Sequence, residues 1–599
     1  MLSQVLERKD IKKHDTWDLE SLFDSLEAWE GEYKRVSKLA DEFVKHKGKV
    51  TESGGALLEA LRDKDKLLRA MENVYVYSHL LLDQDTRNPK SQEISEKAMK
   101  LYIGVNEKTS FFLPELLASQ EEEIKIYISE NNGLEVYKQY LEDITRLKPH
   151  VLSARDESIL AQMGEVGTMP EKIYSMLNNA DLKFPKITNE EGKEIEISHG
   201  NFIPLMESNN REVRKSAFKS LYKTYKGFEN TFATILSGDL KNNIVNARLR
   251  NFSSSMEASL KENNIPMAVY HKLIESIHDN LDGMYDYMEI RKKVLELDEV
   301  HMYDIYRPIV KDFEFKIRYD ESVELVRKAL APLGEEYLAA MNEGFESRWI
   351  DIYENKGKRS GAYSSGSYDS KPYILLNYHE TMDNLFTLAH EMGHSIHSYF
   401  TRKYQPYIYG NYSIFVAEVA STVNELLLLD YMIKNSQDKN EKLYLINHYL
   451  ESFRTTVFRQ TMFAEFEKKI NEDLEAGIGL TAEYLSNIYL ELNKKYYGPN
   501  TIVDEEIAIE WARIPHFYYN FYVYQYATGF SAAVDLSQKI IKNENNDVEK
   551  YLKFLKSGSS DYPINILKKA GIDMTREEPV NNAMKKFKDL IREFDSLIK

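Results

Sequence analysis

A mainly α-helical fold is predicted by three observations on this 599-residue sequence. Glycine (26) and proline (15) are sparse for the length, so little interrupts long helices. Several segments carry apolar residues at helical spacing. Signals for strands are confined to two short stretches.

Taken in chain order, Leu58, Leu61, Leu68, Met71 and Tyr75 follow a helical repeat, with Thr51 or Ser53 as its cap. Residues 184–187 and 194–198 flank Asn189-Glu190-Glu191-Gly192, which predicts a hairpin closed by a glycine turn. A helix is expected over 211–228, opened by Asn209-Asn210, and another over 323–338, interrupted at Pro332. A strand-rich zone over 360–378 contains the apolar run 373–377. Thr381 then caps a helix carrying Leu385, Phe386, Leu388, Ala389, Met392 and Ile396, which runs to about Lys403 before Gln405-Pro406 stops it. The next helix is expected over 413–432. No fixed-period repeat or low-complexity linker divides the chain. The hairpin is its best internal marker and separates a helical region, 1–198, from a second region, 199–599.

His390-Glu391-Met392-Gly393-His394 lies within the Thr381-capped helix and matches H-E-x-x-H. Positions four apart share a helix face, so both imidazoles can reach one metal ion, and Glu391 stands beside it as a base for water. With 14 histidines in the chain a chance match is uncommon, and the strand-then-helix setting favours a real site. A catalytic zinc takes three protein ligands and leaves one position open. His397 would crowd a single short helix. The pattern with a third histidine six residues on is excluded, because His397 and Phe400 stand where it needs glycine and histidine. Glu418 and Glu425, seven apart on the next helix, share an otherwise apolar face beside Leu426–Leu429. Buried acids there need a partner or a metal. Glu418 is therefore the expected third ligand, and Glu425 the acceptor that fixes a ligand imidazole from behind. Asp83-Gln84-Asp85 resembles a calcium loop only faintly, since Arg87 and Asn88 break its ligand and glycine positions.

Composition narrows the partners. Lys and Arg number 78 against 96 Asp and Glu, a net charge of −18, which disfavours nucleic acid and anionic membrane. With no cysteine there is no disulfide, thiolate ligand or thiol nucleophile. The first residues lack the apolar stretch of a signal peptide, and no run of 18 apolar residues occurs. A cytoplasmic protein is expected.

These segments, with His14-Asp15-Thr16-Trp17-Asp18, Arg146–His150, Asp181–Pro185 and the run Arg359-Ser360-Gly361-Ala362-Tyr363 to Tyr378, resemble the oligoendopeptidase F group of the thimet-type (M3) zinc peptidases. The resemblance covers most of the chain. That group takes its third ligand at about the spacing of Glu418, which lies 24 residues after His394. The resemblance implies a two-lobed helical clam-shell around a deep central channel, with one Zn²⁺ per chain at its floor and a small β-sheet near the zinc helix. Region 199–599 would be catalytic, and the substrates unfolded oligopeptides. It also implies an edge strand that pairs with an extended peptide, here Gly361, Ala362 and Tyr363.

The chain has 41 tyrosines, densest in His516-Phe517-Tyr518-Tyr519-Asn520-Phe521-Tyr522-Val523-Tyr524-Gln525-Tyr526. Such a stripe is ordinarily core packing. Attack on a peptide carbonyl, however, builds charge that tyrosine and histidine donors stabilise. By resemblance His516, Tyr522 and Tyr526 take that role, with Tyr519 a competitor. The expected chemistry is endopeptidase cleavage, with Glu391 moving a proton from water to the leaving amine. A dipeptidyl carboxypeptidase could use the same site. A non-catalytic peptide-binding protein is disfavoured because the ligands and Glu391 are all present. A zinc aminopeptidase is disfavoured for want of an amine-binding motif. Oligomeric state is not legible.

Overall fold

The computed structural model describes residues 5–310 and 315–599. Helix accounts for 71% of the chain and strand for 3%, so the mainly α expectation holds. The chain forms two compact units, each assembled from three stretches. One unit comprises Met1–Val151, Glu314–Tyr431 and Leu536–Gly571; the other comprises Leu152–Phe313, Met432–Asp535 and Ile572–Lys599.

Local chemistry accounts for the elements. Helix Gly54–Gln84 begins where the Ser53 side chain accepts from the Ala56 N–H, which decides between the two expected caps. Helix Arg211–Lys226 is opened by Asn210, whose side chain accepts from the Glu212 N–H. Pro332 divides its segment as expected, into helices Tyr319–Ala329 and Gly334–Glu346. The hairpin pairs strands Lys186–Thr188 and Glu194–Glu196 antiparallel, with Gly192 at φ 73° in the turn. It lies in the second unit. No helix among the described residues is long and apolar enough to cross a membrane.

The first unit holds a three-stranded sheet that positions the site. Its order is Ile350–Asp351, Tyr373–Leu375, Tyr363–Ser365, the first pair parallel and the second antiparallel. The middle strand is wholly buried and joins the core of the N-terminal helices, which also contains Trp17, Trp29 and Leu57. Trp17 meets Tyr373 edge-on at 6.2 Å. Backbone bonds from Asp18 N–H to Arg348 C=O and from Ile352 N–H to Asp15 C=O fasten the N-terminal segment to this sheet. Beneath it, Asp351 is held by Arg8 and by the fully buried Lys358. Tyr363–Ser365 is an edge strand, and its tyrosine hydroxyl donates to buried Asp83 at 2.7 Å. Asp83 also receives Arg359 and His79.

Candidate metal centre and aromatic cluster

Two helices of the first unit build the metal-ligating cluster. Met382–Tyr404 is capped by Thr381, whose side chain accepts from the Asn384 N–H, and it ends at Gln405 as the sequence indicates. Ile414–Asn435 crosses it. The crossing is close because Gly393 stands at the contact. A Cβ there would lie 2.6 Å from the Ser421 Cα and 2.8 Å from the Ala420 carbonyl oxygen. Asn424, fully buried, donates to the Ala389 carbonyl at 3.0 Å and accepts from the Tyr337 hydroxyl at 2.8 Å. The glycine inside the motif thus lets the second helix bring its acids onto the first.

The resulting geometry is a triangle of lone pairs. His390 Nε2 and His394 Nε2 lie 3.2 Å apart, and Glu418 Oε2 lies 3.3 Å from each. A tetrahedron with a face of that size has its centre about 2.0 Å from each corner, the distance zinc prefers for nitrogen and oxygen ligands. The donor set therefore fits a small divalent cation, with the fourth corner left for another ligand. Behind the triangle, His390 Nδ1 donates to Glu425, which leaves Nε2 facing its partners. Ser421 Oγ donates to Glu418 Oε2 at 2.9 Å and steadies that carboxylate.

Burial opposes charge on His390, but Glu418 and Glu425 outweigh it and raise the imidazole to about 10. Burial likewise opposes charge on Glu418, yet His390 and His394 hold it well below the ordinary carboxylate range. The same three groups could hold a metal ion. Glu391 differs. It is 8% exposed and accepts no hydrogen bond from any described residue. Burial raises it above the ordinary range, against the pull of His390 and His394.

His397, set aside as a ligand from its sequence position, is a core residue. Its ring stacks on Tyr412 at 3.7 Å and 6° and lies 5.1 Å from Phe554. Burial lowers it to about 3, so it is neutral. The edge strand is fastened to the ligand helix by a 2.8 Å hydrogen bond between the Ser364 and Ser395 hydroxyls, one residue past His394. Gly361 and Ala362 immediately precede the strand, and Tyr363 is its first residue. Nothing in the sequence marked Ser364, Ser395, Ser421 or Asn424. Gly393 did carry a signal, a glycine inside an otherwise apolar helix.

The aromatic stretch lies in the second unit and divides into two sets. Tyr524 is buried beside Tyr270 at 5.0 Å, and Tyr518 stacks on Tyr174 at 4.4 Å, as core packing. Tyr522, Tyr526 and Tyr519 instead surround His516. Tyr522 lies 6.4 Å from the imidazole and nearly parallel to it, and Tyr519 stands edge-on at 5.7 Å. The Tyr526 hydroxyl lies 3.3 Å from His516 Nε2. Burial lowers His516, which keeps it neutral near pH 7. The residues named from sequence in this stretch thus meet one another.

Two imidazoles and a carboxylate around a metal-sized gap could hold a metal ion, the arrangement that metallohydrolases use. Comparison with known sequences makes the class specific. Residues 204–586 match peptidase family M3 and residues 115–184 match oligopeptidase F, so the chain belongs to peptidase family M3 and is a metallopeptidase. It is 50% identical over 596 residues to oligopeptidase PepF of Bacillus subtilis, covering 100% of this chain and 89% of that one. Among solved structures, one from Chlamydophila abortus assigned to a peptidase is 38% identical with a TM-score of 0.94, covering 99% and 100% of the two chains. The oligoendopeptidase-F of Enterococcus faecium is 41% identical with a TM-score of 0.73, covering 96% and 99%.

Proposed function

We propose that the protein is a zinc-dependent endopeptidase that cuts internal bonds of short, unfolded oligopeptides. The observation that carries this reading is the triangle of His390, His394 and Glu418 beside buried Glu391. His390, His394 and Glu418 would hold the zinc ion, and Glu425 would orient His390. A zinc ion bound by such a set acts as a Lewis acid and eases deprotonation of water. Glu391, raised by burial, takes the proton of the attacking water and delivers it to the departing amine nitrogen. An extended peptide adds to the open edge strand Tyr363–Ser365 and to Gly361 and Ala362 that lead into it, through main-chain hydrogen bonds, a mode that recognises backbone rather than sequence. The Ser364–Ser395 bond ties that edge to the ligand helix. Tyr522 and His516 serve as hydrogen-bond donors to the developing oxyanion, with Tyr526 orienting His516. The names of the relatives, oligopeptidase and oligoendopeptidase, agree with this substrate class.

The test is cleavage of a fluorogenic peptide of about ten residues blocked at both ends, with products identified by mass. Internal cuts abolished by a chelator and restored by zinc are expected. Failure on the blocked peptide, with stepwise release of dipeptides from a free C-terminus, would replace this reading by dipeptidyl carboxypeptidase.

A further inference from the structure

The turn between His516 and helix Tyr524–Lys542 is strained. Asn520 and Phe521 both have positive φ, 38° and 57°. Left-handed backbone is disfavoured for any residue with a Cβ, and it persists only where the surroundings enforce it. Three hydrogen bonds do so here. The Phe521 N–H donates to Glu467 Oε1 at 2.6 Å. Ser255 Oγ donates to Asn520 Oδ1 at 3.2 Å, and Ser259 Oγ donates to the Asn520 carbonyl at 2.8 Å. The Phe521 ring is buried and meets Tyr270 edge-on at 5.7 Å.

Glu467 is the unusual member of this arrangement. It lies on helix Arg459–Glu475 and is fully buried, with no ion pair and with Oε2 lacking a hydrogen-bond partner among the described residues. A buried acid without a counter-charge is unfavourable, and an apolar side chain would pack there more cheaply. What the carboxyl supplies, and an apolar side chain does not, is an acceptor for the backbone N–H of a left-handed residue. The next residue in the chain is Tyr522, whose ring lies alongside His516 and 5.4 Å from Tyr526. The conformation at 520–521 therefore bears directly on where Tyr522 lies against His516.

We infer that Glu467 is a positioning residue: its Oε1 holds the Asn520–Phe521 turn in the left-handed conformation that keeps Tyr522 alongside His516. The inference rests on the reading of those two side chains as donors to the oxyanion. Burial pushes Glu467 up to about 8, with nearby Asp239 adding to the rise and the Phe521 N–H opposing it. It is thus mostly neutral at pH 7, and glutamine is a close mimic.

The experiment compares Glu467→Leu, Glu467→Gln, Ser259→Ala and Tyr522→Phe in the full zinc-loaded chain, reading kcat, KM and zinc content on the doubly blocked peptide. Glu467→Leu should lower kcat about tenfold while KM and zinc content stay at wild type, and Glu467→Gln should restore kcat to within about twofold. Ser259→Ala, which removes one tether only, should lower kcat about threefold, and it decides the matter if Glu467→Leu does not fold. Wild-type kcat in a folded Glu467→Leu, or in Ser259→Ala, overturns the inference, as does a glutamine variant no better than leucine. If Tyr522→Phe loses kcat while Glu467→Leu does not, only the inference falls. If Tyr522→Phe keeps wild-type kcat, the oxyanion reading falls with it.

Discussion

The metal-ligating cluster and the aromatic cluster are held in place by opposite means. The first sits on two regular helices. Its donors are placed by helical spacing, four residues between the imidazoles and seven between the acids, and by one glycine at the crossing. The second brackets an irregular turn: His516 lies before it on Pro515–Tyr518, Tyr526 after it on helix Tyr524–Lys542, and the turn's two left-handed residues are tied by hydrogen bonds to elements distant in sequence. Regular backbone makes a rigid ligand set from few residues, whereas a strained turn needs a supporting shell. The two clusters should respond differently to substitution.

The largest effect is expected at the base between them in role. Glu391→Gln should keep bound metal and lose about three orders of magnitude in kcat, because the variant cannot take a proton from water. Paired metal analysis and turnover check this, and near-normal turnover would remove Glu391 from the chemistry. Next is the aromatic cluster. Tyr522→Phe should lower kcat by roughly tenfold to a hundredfold with metal content unchanged, since one donor to the oxyanion is lost. A loss confined to KM would make Tyr522 a substrate contact instead.

A smaller effect should appear at the helix crossing. Gly393→Ala places a methyl 2.6 Å from the Ser421 Cα, so the helices must part. Metal affinity should fall about tenfold, the scale on which disturbed support around a ligand is felt. Equilibrium metal titration would show it, and unchanged affinity would mean that the crossing can relax without moving Glu418. The smallest effect belongs to His397. His397→Phe should leave metal content and kcat as they are. The native imidazole is lowered to about 3, against about 6.5 when unfolded. Between those values the unfolded chain binds more protons, so stability falls as pH drops through that window. The variant should therefore lose less thermal stability than wild type between about pH 7 and pH 5. Equal losses would show that His397 is not the group responsible.

The same contrast explains what could be read from the sequence. Helix caps at Ser53, Asn210 and Thr381, the break at Pro332 and the Gly192 hairpin are local events, governed by a few adjacent residues, and they were legible. So were the ligand spacing and the shared face of Glu418 and Glu425, because helical period links sequence to direction. The hydroxyl pair Ser364–Ser395, the Asn424 bridge and buried Glu467 were not. Each depends on contacts between elements far apart in the chain, and serine, asparagine and glutamate carry no signature for such roles. The tyrosine stripe shows the limit within one segment. Sequence marked it as aromatic, and only the folded chain separates buried Tyr524 from the ring of residues around His516.

His390, His394 and Glu418 together should hold one zinc ion. Metal content per chain, measured by mass spectrometry after dialysis against a weak chelator, tests it most directly in wild type and Glu418→Ala. One zinc per wild-type chain is expected, and little or none in the variant, with the fold intact by circular dichroism. A full equivalent of zinc in Glu418→Ala would contradict it.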